Sequence, residues 1–307
     1  MRKITIIIAS LAVVGIDTAC AQSDSISLRE VEVTAIAQKS SFKASTPVQQ
    51  LSAERMSALG IGSMAEALKH LSGITVRDYG GAGGMKTVSV RGIGARHTGV
   101  VYDGMAISDC QTGEIDLSRF DTYNTRSMTL AIGDADNIFV PARNAASPAA
   151  IYIETIPDSA FAMARLGVGS WGTVSPSFKI AQPLGKAMLD LSASYLHSDN
   201  NYPFTLKNVK LITKEHRKNS RMDAGRIELG TRWHLNANSI LSAKAYYYDN
   251  NRQLPGIVRM YTQDNDEHLR ERNAFVQSSL RSTLSSSLSV MANAKVSWSE
   301  SAYRVGV

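Results

Sequence analysis

Residues 226–235 read Arg-Ile-Glu-Leu-Gly-Thr-Arg-Trp-His-Leu, and apolar and polar side chains alternate along this stretch. Successive side chains of a β-strand point to opposite faces, so the pattern predicts a strand with one apolar and one charged face. The same alternation recurs in residues 189–195, 241–247 and 288–298. The second half of the chain is therefore predicted to be a sheet with two chemically different faces.

Seven such strands are predicted after Pro157, at residues 161–170, 173–181, 187–197, 220–235, 239–249, 272–284 and 287–300. Beyond the third strand, long loops at 198–219 and 250–271 alternate with short turns at 236–238 and 285–286. A soluble sandwich shows the same alternation within strands but no such regularity in its connections. The pattern is typical of an antiparallel transmembrane β-barrel.

Aromatic residues near the ends of these strands are expected to form the girdles of a membrane barrel. They are Tyr195, Trp233, Tyr246, Tyr247, Tyr248 and Trp298.

The composition describes a chain that folds, with 307 residues, a net charge of +6, 44% hydrophobic and 20% charged residues. No apolar run reaches the roughly 18–20 residues of a membrane-spanning helix. Cys20 lies in a segment that is expected to be removed, which leaves Cys110 alone, so no intrachain disulfide or cysteine-based metal site is expected. The basic residues form no block, so a nucleic-acid partner is not expected.

The first 21 residues have the features of a secretory signal peptide. Arg2 and Lys3 precede an apolar run at residues 4–16, and Ala-Cys-Ala at 19–21 supplies the small residues of a cleavage site. Cleavage after Ala21 is expected. A lipoprotein site around the same cysteine is the alternative, but Asp17 stands where that site requires an aliphatic residue.

Residues 22–157 are predicted to form a short strand, a linker and a small mixed α+β domain. Residues 28–37 alternate as in a strand, and Ser52 and Ser63 are candidate helix caps, the second helix ending at Gly73. Strands are predicted at 74–77, 87–93 and 100–102, and Asp103-Gly104 forms a tight turn before residues 105–107.

Two polar loops interrupt this domain, at residues 78–87 and 108–114. The first contains four glycines before Lys86-Thr87. A phosphate-binding loop requires glycine immediately before the lysine, and Met85 stands there, so nucleotide binding is disfavoured. An exposed turn that another group can approach closely is the preferred interpretation.

Four blocks then occur in a characteristic order: Leu68-x-x-Leu71-Ser72-Gly73-Ile74, Val88-Ser89-Val90-Arg91-Gly92, Tyr102-Asp103-Gly104 and Ile115-Asp116-Leu117-Ser118-Arg119-Phe120. This ordered set resembles the plug domain of TonB-dependent outer-membrane receptors. The segment Glu30, Val31, Glu32, Val33, Thr34 and Ala35 looks like the TonB box of that family.

The resemblance covers residues 28–157 and implies a domain organisation. It consists of a signal peptide at 1–21, a TonB box and linker at 22–45, a plug domain at 46–157 and the first strands of a barrel at 158–307. It implies a multi-pass β-barrel of the Gram-negative outer membrane, with TonB and the lipid bilayer as partners. It also implies active import of a scarce nutrient, without catalytic residues, cofactor or structural metal.

Within the family, the two polar loops resemble those of the cobalamin (vitamin B12) transporters. The resemblance implies a corrinoid substrate, with contacts at Asp78, Tyr79, Gly80, Gly81, Gln111 and Thr112. Haem, with His97 as a possible ligand, and iron siderophores are alternative substrates of the same class. A surface lipoprotein that caps the loops is a further possible partner.

The chain departs from the family near the end of the plug. The matching stretch is taken as residues 132–139, Ala142 and residues 145–153, and these positions lack the arginine that the family often uses to hold the plug in the barrel. The chain is also shorter than a complete receptor of this family would be. A plugged barrel of about 22 strands needs about 220 residues for its spans alone, and only about 150 follow Pro157. We therefore expect a fragment of a longer receptor, or the product of a truncated gene.

Two other classes of function compete. A secreted all-β enzyme would need converging carboxylates, and Asp103, Asp109, Glu114 and Asp116 are candidates by residue type only. The turn formed by Asp103-Gly104 explains the first without catalysis. A surface-binding barrel without transport is the second class, and deletion of residues 28–36 would distinguish it from an importer.

Overall fold

The structure is a computed structural model that describes residues 48–80, 84–109, 113–133, 147–208, 211–258 and 265–306. The expected signal peptide and TonB box lie outside the described residues. The described residues between 48 and 156 are called the plug region below, since they fall within the predicted plug.

The plug region contains two short helices, Ala53–Ala58 and Met64–Lys69, and seven strands. The strands are β1 (Val48–Ser52), β2 (Ile74–Asp78), β3 (Lys86–Val90), β4 (Thr98–Tyr102), β5 (Met105–Ala106), β6 (Ser127–Ile132) and β7 (Ala149–Glu154). Five of them form a sheet in the order β1-β6-β7-β4-β5, in which β4 and β7 are parallel. The remaining two, β2 and β3, form a separate hairpin. The predicted α+β character is present.

Both predicted helix caps are present. The Ser52 hydroxyl accepts a hydrogen bond from the Arg55 backbone N–H at 3.4 Å, and the Ser63 hydroxyl accepts one from the Glu66 N–H at 3.2 Å. The Glu66 carboxylate reaches back to the Gly62 N–H at 3.0 Å, so two otherwise unpaired N–H groups are satisfied. This helix ends at Lys69, before Gly73, which was expected to end it.

The two sharpest turns of the plug region follow from left-handed backbone angles. Asp103 (φ 45°) and Gly104 (φ 84°) form the predicted two-residue turn between β4 and β5. Arg91 (φ 49°) and Gly92 (φ 73°) also lie in the left-handed region. The strand expected at 87–93 therefore ends at Val90, because two consecutive left-handed residues cannot continue it.

The C-terminal half forms one antiparallel sheet, called the wall sheet below. Its strands are β8 (Phe161–Gly169), β9 (Thr173–Leu184), β10 (Ala187–Ser198), β13 (Met222–Asn236), β14 (Ser239–Leu254), β15 (Glu267–Thr283) and β16 (Ser289–Arg304). Each pairs with its neighbour in that order. All seven predicted strands are present.

The two predicted long loops were drawn too long. Residues 198–219 contain a hairpin of β11 (Pro203–Asn208) and β12 (Leu211–His216). The loop predicted at 250–271 is shorter, because β14 continues to Leu254 and β15 already begins at Glu267. The two strands pair as far as Leu254 and Glu267. Both regions are rich in polar residues, which hid their strand character.

The wall sheet has its polar face buried and its apolar face exposed. Leu229 and Val276 are 53% and 61% exposed, whereas Glu228 and Lys244 are 0% and 2% exposed. The buried polar face lies against the plug region. An isolated soluble sheet would bury the opposite face, so this arrangement is typical of a wall that is surrounded by an apolar medium.

The aromatic prediction is correct in part. Tyr195, Trp233, Tyr247 and Trp298 lie on the outer face, between 41% and 49% exposed. Tyr246 and Tyr248 do not belong to a girdle, because they point inward and are 4% and 2% exposed. Consecutive residues of a strand alternate in direction, so only the middle tyrosine of the three faces outward.

One hydrophobic core joins the plug region to the wall sheet. Leu68, Val90 and Ile151 belong to it from the plug region, and Tyr246 and Phe275 from the wall sheet. No helix in the described parts of the chain has the length and apolar character needed to cross a membrane.

Candidate functional site

The first predicted loop is held by its own aspartate. Asp78 ends β2, and its carboxylate lies 2.5 Å from the Lys86 ammonium at the start of β3. The other Asp78 oxygen accepts a hydrogen bond from the Gly80 N–H at 3.1 Å. Beside it, Tyr79 projects with 56% of its surface exposed. Tyr79 thus presents its side chain to solvent, and the half-exposed Asp78 holds the turn.

The bases of the two predicted loops meet at Asp116. This buried carboxylate accepts hydrogen bonds at 2.9 Å from the N–H groups of Lys86, which follows the first loop, and of Ser118, which follows the second. The loops therefore project from a common base. Gly81, Gln111 and Thr112, the other predicted contacts, lie outside the described residues. His97, the alternative haem ligand, lies exposed in a short 3₁₀ turn at Ala95–His97.

A buried ion cluster connects the plug region to the wall sheet. The Lys244 ammonium on β14 lies 2.8 Å from the Asp103 carboxylate and 2.9 Å from the Glu228 carboxylate on β13. All three side chains are at most 7% exposed. Asp103 also accepts hydrogen bonds from the backbone N–H of Thr155 at 2.7 Å and from its hydroxyl at 2.6 Å, so the cluster holds the β4–β5 turn.

Tyr102, the neighbour of Asp103, completes the cluster. Its hydroxyl donates to Glu228 at 2.7 Å, and the Gln277 amide of β15 donates to its backbone carbonyl at 2.9 Å. Burial and the nearby Glu228 and Asp103 carboxylates raise the Tyr102 pKa well above its usual range, so this hydroxyl stays a donor. Burial tends to raise the Asp103 pKa, but the Lys244 ammonium and the Thr155 hydrogen bonds outweigh it and hold that pKa below its ordinary value.

Further contacts of the same kind follow the wall sheet. The Lys179 ammonium donates at 2.8 Å to the carbonyls of Asn124 and Thr155, and the Arg226 guanidinium lies 3.3 Å from the Asp121 carboxylate. The Lys295 ammonium donates to the Ala106 carbonyl at 3.0 Å. Lys179, Arg226, Lys244 and Lys295 all come from the wall sheet. In these four contacts the wall sheet supplies the cation, and the plug region supplies the carbonyl or carboxylate oxygen.

An aromatic group seals the interface beside the ion cluster. The rings of Tyr246 and Phe275 stack with centroids 4.7 Å apart, and those of Tyr102 and Phe120 with centroids 4.8 Å apart. The Tyr246 hydroxyl donates to the Arg119 carbonyl at 2.7 Å. Sequence reasoning identified the polar face that carries Glu228 and Lys244 but not their plug partners, since strand periodicity gives a direction and not a contact.

These features match a known family. Residues 40–141 match the model of the TonB-dependent Receptor Plug Domain. Over these residues the chain is similar to the plug domain of TonB-dependent receptors. Its plug region precedes antiparallel strands that resemble the start of a TonB-dependent barrel, so the predicted fold class is confirmed. No curated protein matches the chain.

Solved structures of TonB-dependent receptors share the fold. The ferric citrate transporter FecA in its unliganded form superposes with a TM-score of 0.67 at 12% identity, covering 87% of this chain and 42% of that one. Pseudomonas aeruginosa FpvA with a bound ferric pyoverdine gives 0.60 at 16% identity, covering 81% and 34%. The copper transporter OprC gives 0.55 at 16% identity, covering 78% and 35%. The chain thus spans between a third and somewhat over two fifths of these structures.

Proposed function

We propose that these residues form the N-terminal part of a TonB-dependent importer in the outer membrane of a Gram-negative bacterium. The proposed domains are a signal peptide at 1–21, a TonB box and linker at 22–45, a plug at 46–157 and the first barrel strands from 158 onward. The plug fills the barrel, and the imported molecule passes after the plug has shifted.

One observation carries this proposal: the wall sheet is apolar outside and polar inside, and its polar face is occupied by the plug region. The exposed Leu229 and the buried Glu228 are neighbours on one strand. Lipid surrounds the apolar Leu229 side chain, and the plug supplies a hydrogen-bond partner to the Glu228 carboxylate. An adhesion barrel shares the outer face, but it has no use for a plug that is held by a removable set of ion contacts.

Energy coupling is proposed to act through residues 30–35, which would pair with TonB as an added strand. The structure supports this through the position of β1, the first described strand after that segment. Among the strands that the structure describes, β1 pairs only with β6 and lies at the edge of the plug sheet. A pull on the chain before Val48 therefore acts on an edge strand, which can separate without disrupting the β6-β7-β4-β5 pairing.

The substrate is proposed to be a scarce metal chelate that binds at the loops around Asp78, Tyr79, Gly80, Gly81, Gln111 and Thr112. A corrinoid and an iron siderophore fit the exposed Tyr79 and the glycine-rich turn equally well. The structures that match are described as a ferric citrate transporter, a pyoverdine receptor and a copper transporter, which favours the wider class of metal chelates. A surface lipoprotein over the loops remains part of the proposal.

Binding to the complete purified receptor in detergent tests the substrate. Cyanocobalamin, haemin, ferric citrate and a ferric catecholate are each titrated by calorimetry. Sub-micromolar binding of one of them, weakened by Tyr79→Ala and unchanged by Leu59→Ala, is the expected result. Leu59 is a suitable control because it is similarly exposed, at 49%, but lies after the first helix and away from the loop. Equal loss in both variants would contradict the loop site.

A further inference from the structure

The plug region contacts the wall sheet very differently on its two sides. Against β13–β16 it is held by the Lys244 cluster and by the stacked Tyr246 and Phe275 rings. Against β8–β10 and the start of β13, the Lys179 and Arg226 contacts are accompanied by a cleft of about 370 Å³. This volume is in the range that small-molecule sites occupy.

The wall side of this cleft combines larger side chains, among them Arg165, Met222 and Tyr248, with several small residues. The small residues include Gly167, Gly169, Ser175, Ser177, Ser194 and Ala224. Gly167 pairs with Ser175 across β8 and β9, and a side chain at 167 would collide with the Ser175 hydroxyl and take up this space. The sequence therefore leaves room between plug and wall on this side.

The cleft carries more positive than negative charge. Among its described lining residues are three cations, Lys86, Arg165 and Arg226, and one carboxylate, Asp121. Arg165 stacks on the Tyr123 ring, with its guanidinium carbon 3.8 Å from the ring centroid. Lys86 stands at the end of the first loop, where its ammonium pairs with Asp78, so this residue connects the proposed substrate site to the cleft.

The end of the cleft at Gly169 and Thr173, beside the turn that joins β8 to β9, is called its upper end. The opposite end is called its lower end. The cleft shares five lining residues with a second void of only about 10 Å³, which Asn124 and Lys179 also line: Asp121, Tyr123, Ser177, Ser194 and Arg226. At this neck the Arg226 guanidinium lies 3.3 Å from Asp121.

A second observation marks the far side of the neck. Asn124 is 3% exposed, yet neither its side-chain nitrogen nor its oxygen has a hydrogen-bond partner in the described part of the protein. The Ser177 hydroxyl beside it also has none. Buried polar groups are costly unless they are paired, so these groups are suited to a polar solute that reaches them.

We propose that this cleft is the route by which a small anionic substrate passes between plug and wall, and that the Arg226–Asp121 pair closes its lower end. The inference rests on the proposed import function and adds to it the route and the charge of the substrate. A chelate that carries carboxylates or other anionic groups fits Arg165, and it can replace Asp78 at Lys86 and Asp121 at Arg226 as it passes. The opposite interface, with its ion cluster and stacked rings, stays closed during passage.

Thiol labelling tests the route without any knowledge of the substrate. Single cysteines are introduced into the complete receptor, with Cys20 and Cys110 replaced by Ser, at Ser175 in the cleft, at Gln277 on the sealed side and at the exposed Tyr79. The purified protein in detergent is treated with an anionic (sulfonatoethyl) or a cationic (trimethylammonioethyl) methanethiosulfonate.

We expect Ser175→Cys to react with the anionic reagent at least about tenfold faster than Gln277→Cys, because a positively lined cleft concentrates anions. The preference for the anionic over the cationic reagent should exceed that of Tyr79→Cys. A rate at Ser175→Cys no higher than at Gln277→Cys, or a preference for the cation, overturns the route. Uptake assays are independent of this labelling, so its failure would leave the import function standing.

The neck is tested at Asn124→Cys. We expect slow labelling when Asp121 is present and about tenfold faster labelling in an Asp121→Asn background, where the Arg226 pair is broken. An Asp109→Asn background is the control, because Asp109 forms an ion pair with Arg119 at 3.4 Å but does not line the neck. Equal labelling rates at Asn124→Cys in the Asp121→Asn and Asp109→Asn backgrounds overturn the proposed gate.

Discussion

The ammonium of Lys244 lies 2.8 Å from the carboxylate of Asp103, which joins the middle of a wall strand to a turn of the plug. Neither side chain is more than 7% exposed. A buried ion pair costs desolvation, and its stability depends on the presence of both partners. This contact therefore determines how firmly the β4–β5 end of the plug is held.

Removal of one partner should destabilise the plug strongly. Asp103→Asn leaves Lys244 and Glu228 in a buried site with one charge fewer, and we expect a loss of about 3–5 kcal/mol in unfolding free energy. The loss in the double variant Asp103→Asn/Lys244→Met should be smaller than the sum of the two single losses, because Lys244→Met alone leaves both buried carboxylates without their cation. Denaturant unfolding of the complete receptor measures both. Strictly additive losses in the double variant would contradict the ion cluster.

The same contact predicts a dependence on pH. The Asp103 pKa is lower in the folded protein than its ordinary value, so its contribution is fully present above an unfolded pKa of about 4 and is lost as the pH falls through the folded pKa. The difference in unfolding midpoint between the parent and Asp103→Asn should be constant above about pH 5 and should shrink below about pH 4. A difference that grows on acidification would contradict this sign.

A charged side chain in the middle of the outer face of the wall sheet should lower the free energy of unfolding. Leu229→Arg places a cation in the apolar band and should cost about 2–4 kcal/mol, whereas Leu284→Arg, in the turn after β15, should cost about 0–1 kcal/mol. Unfolding in lipid vesicles compares the two. Similar exposure of the two parent leucines, 53% and 63%, makes them a matched pair. Equal costs would argue against a membrane around this sheet.

The aromatic seal should depend on both stacked rings. Phe275→Ala removes a ring that stacks on Tyr246 and lies edge-on to Tyr102, and should cost about 3–5 kcal/mol as other large-to-small core changes do. Phe275→Leu keeps most of the apolar volume and should cost less. Protease digestion of the plug in the folded receptor gives a second measure, with faster cleavage expected in Phe275→Ala alone.

The sequence predicts most of the strands of the wall sheet, but it predicts less of how the wall sheet contacts the plug region. Strand positions such as 187–197 and 239–249 were predictable because period-two alternation and turn residues are local signals. The inward direction of Tyr246 and Tyr248 was missed because three consecutive tyrosines place aromatic rings on both faces. The partner of Lys244 could not be predicted, since a contact between a plug turn and a wall strand depends on how two distant segments pack.

The candidate site shows the same division. The two loops were located from their glycines and polar residues. Asp116 was part of a recognised sequence block, but its hydrogen bonds to the bases of both loops could not be read from that block. Asp78 was expected to contact substrate, and its carboxylate is engaged by Lys86 and the Gly80 N–H. A sequence shows which residues can bind a ligand, but not which of them the fold has already paired.

Energy-dependent uptake is the most direct measurement of the central claim. Cells that express the complete receptor, the same receptor without residues 28–36, or the parent in a strain without TonB are compared for uptake of the chelate that binds in calorimetry. The account predicts uptake in the first alone, with equal binding affinity in the parent and deleted receptors. Uptake that persists without residues 28–36 would contradict a TonB-dependent importer.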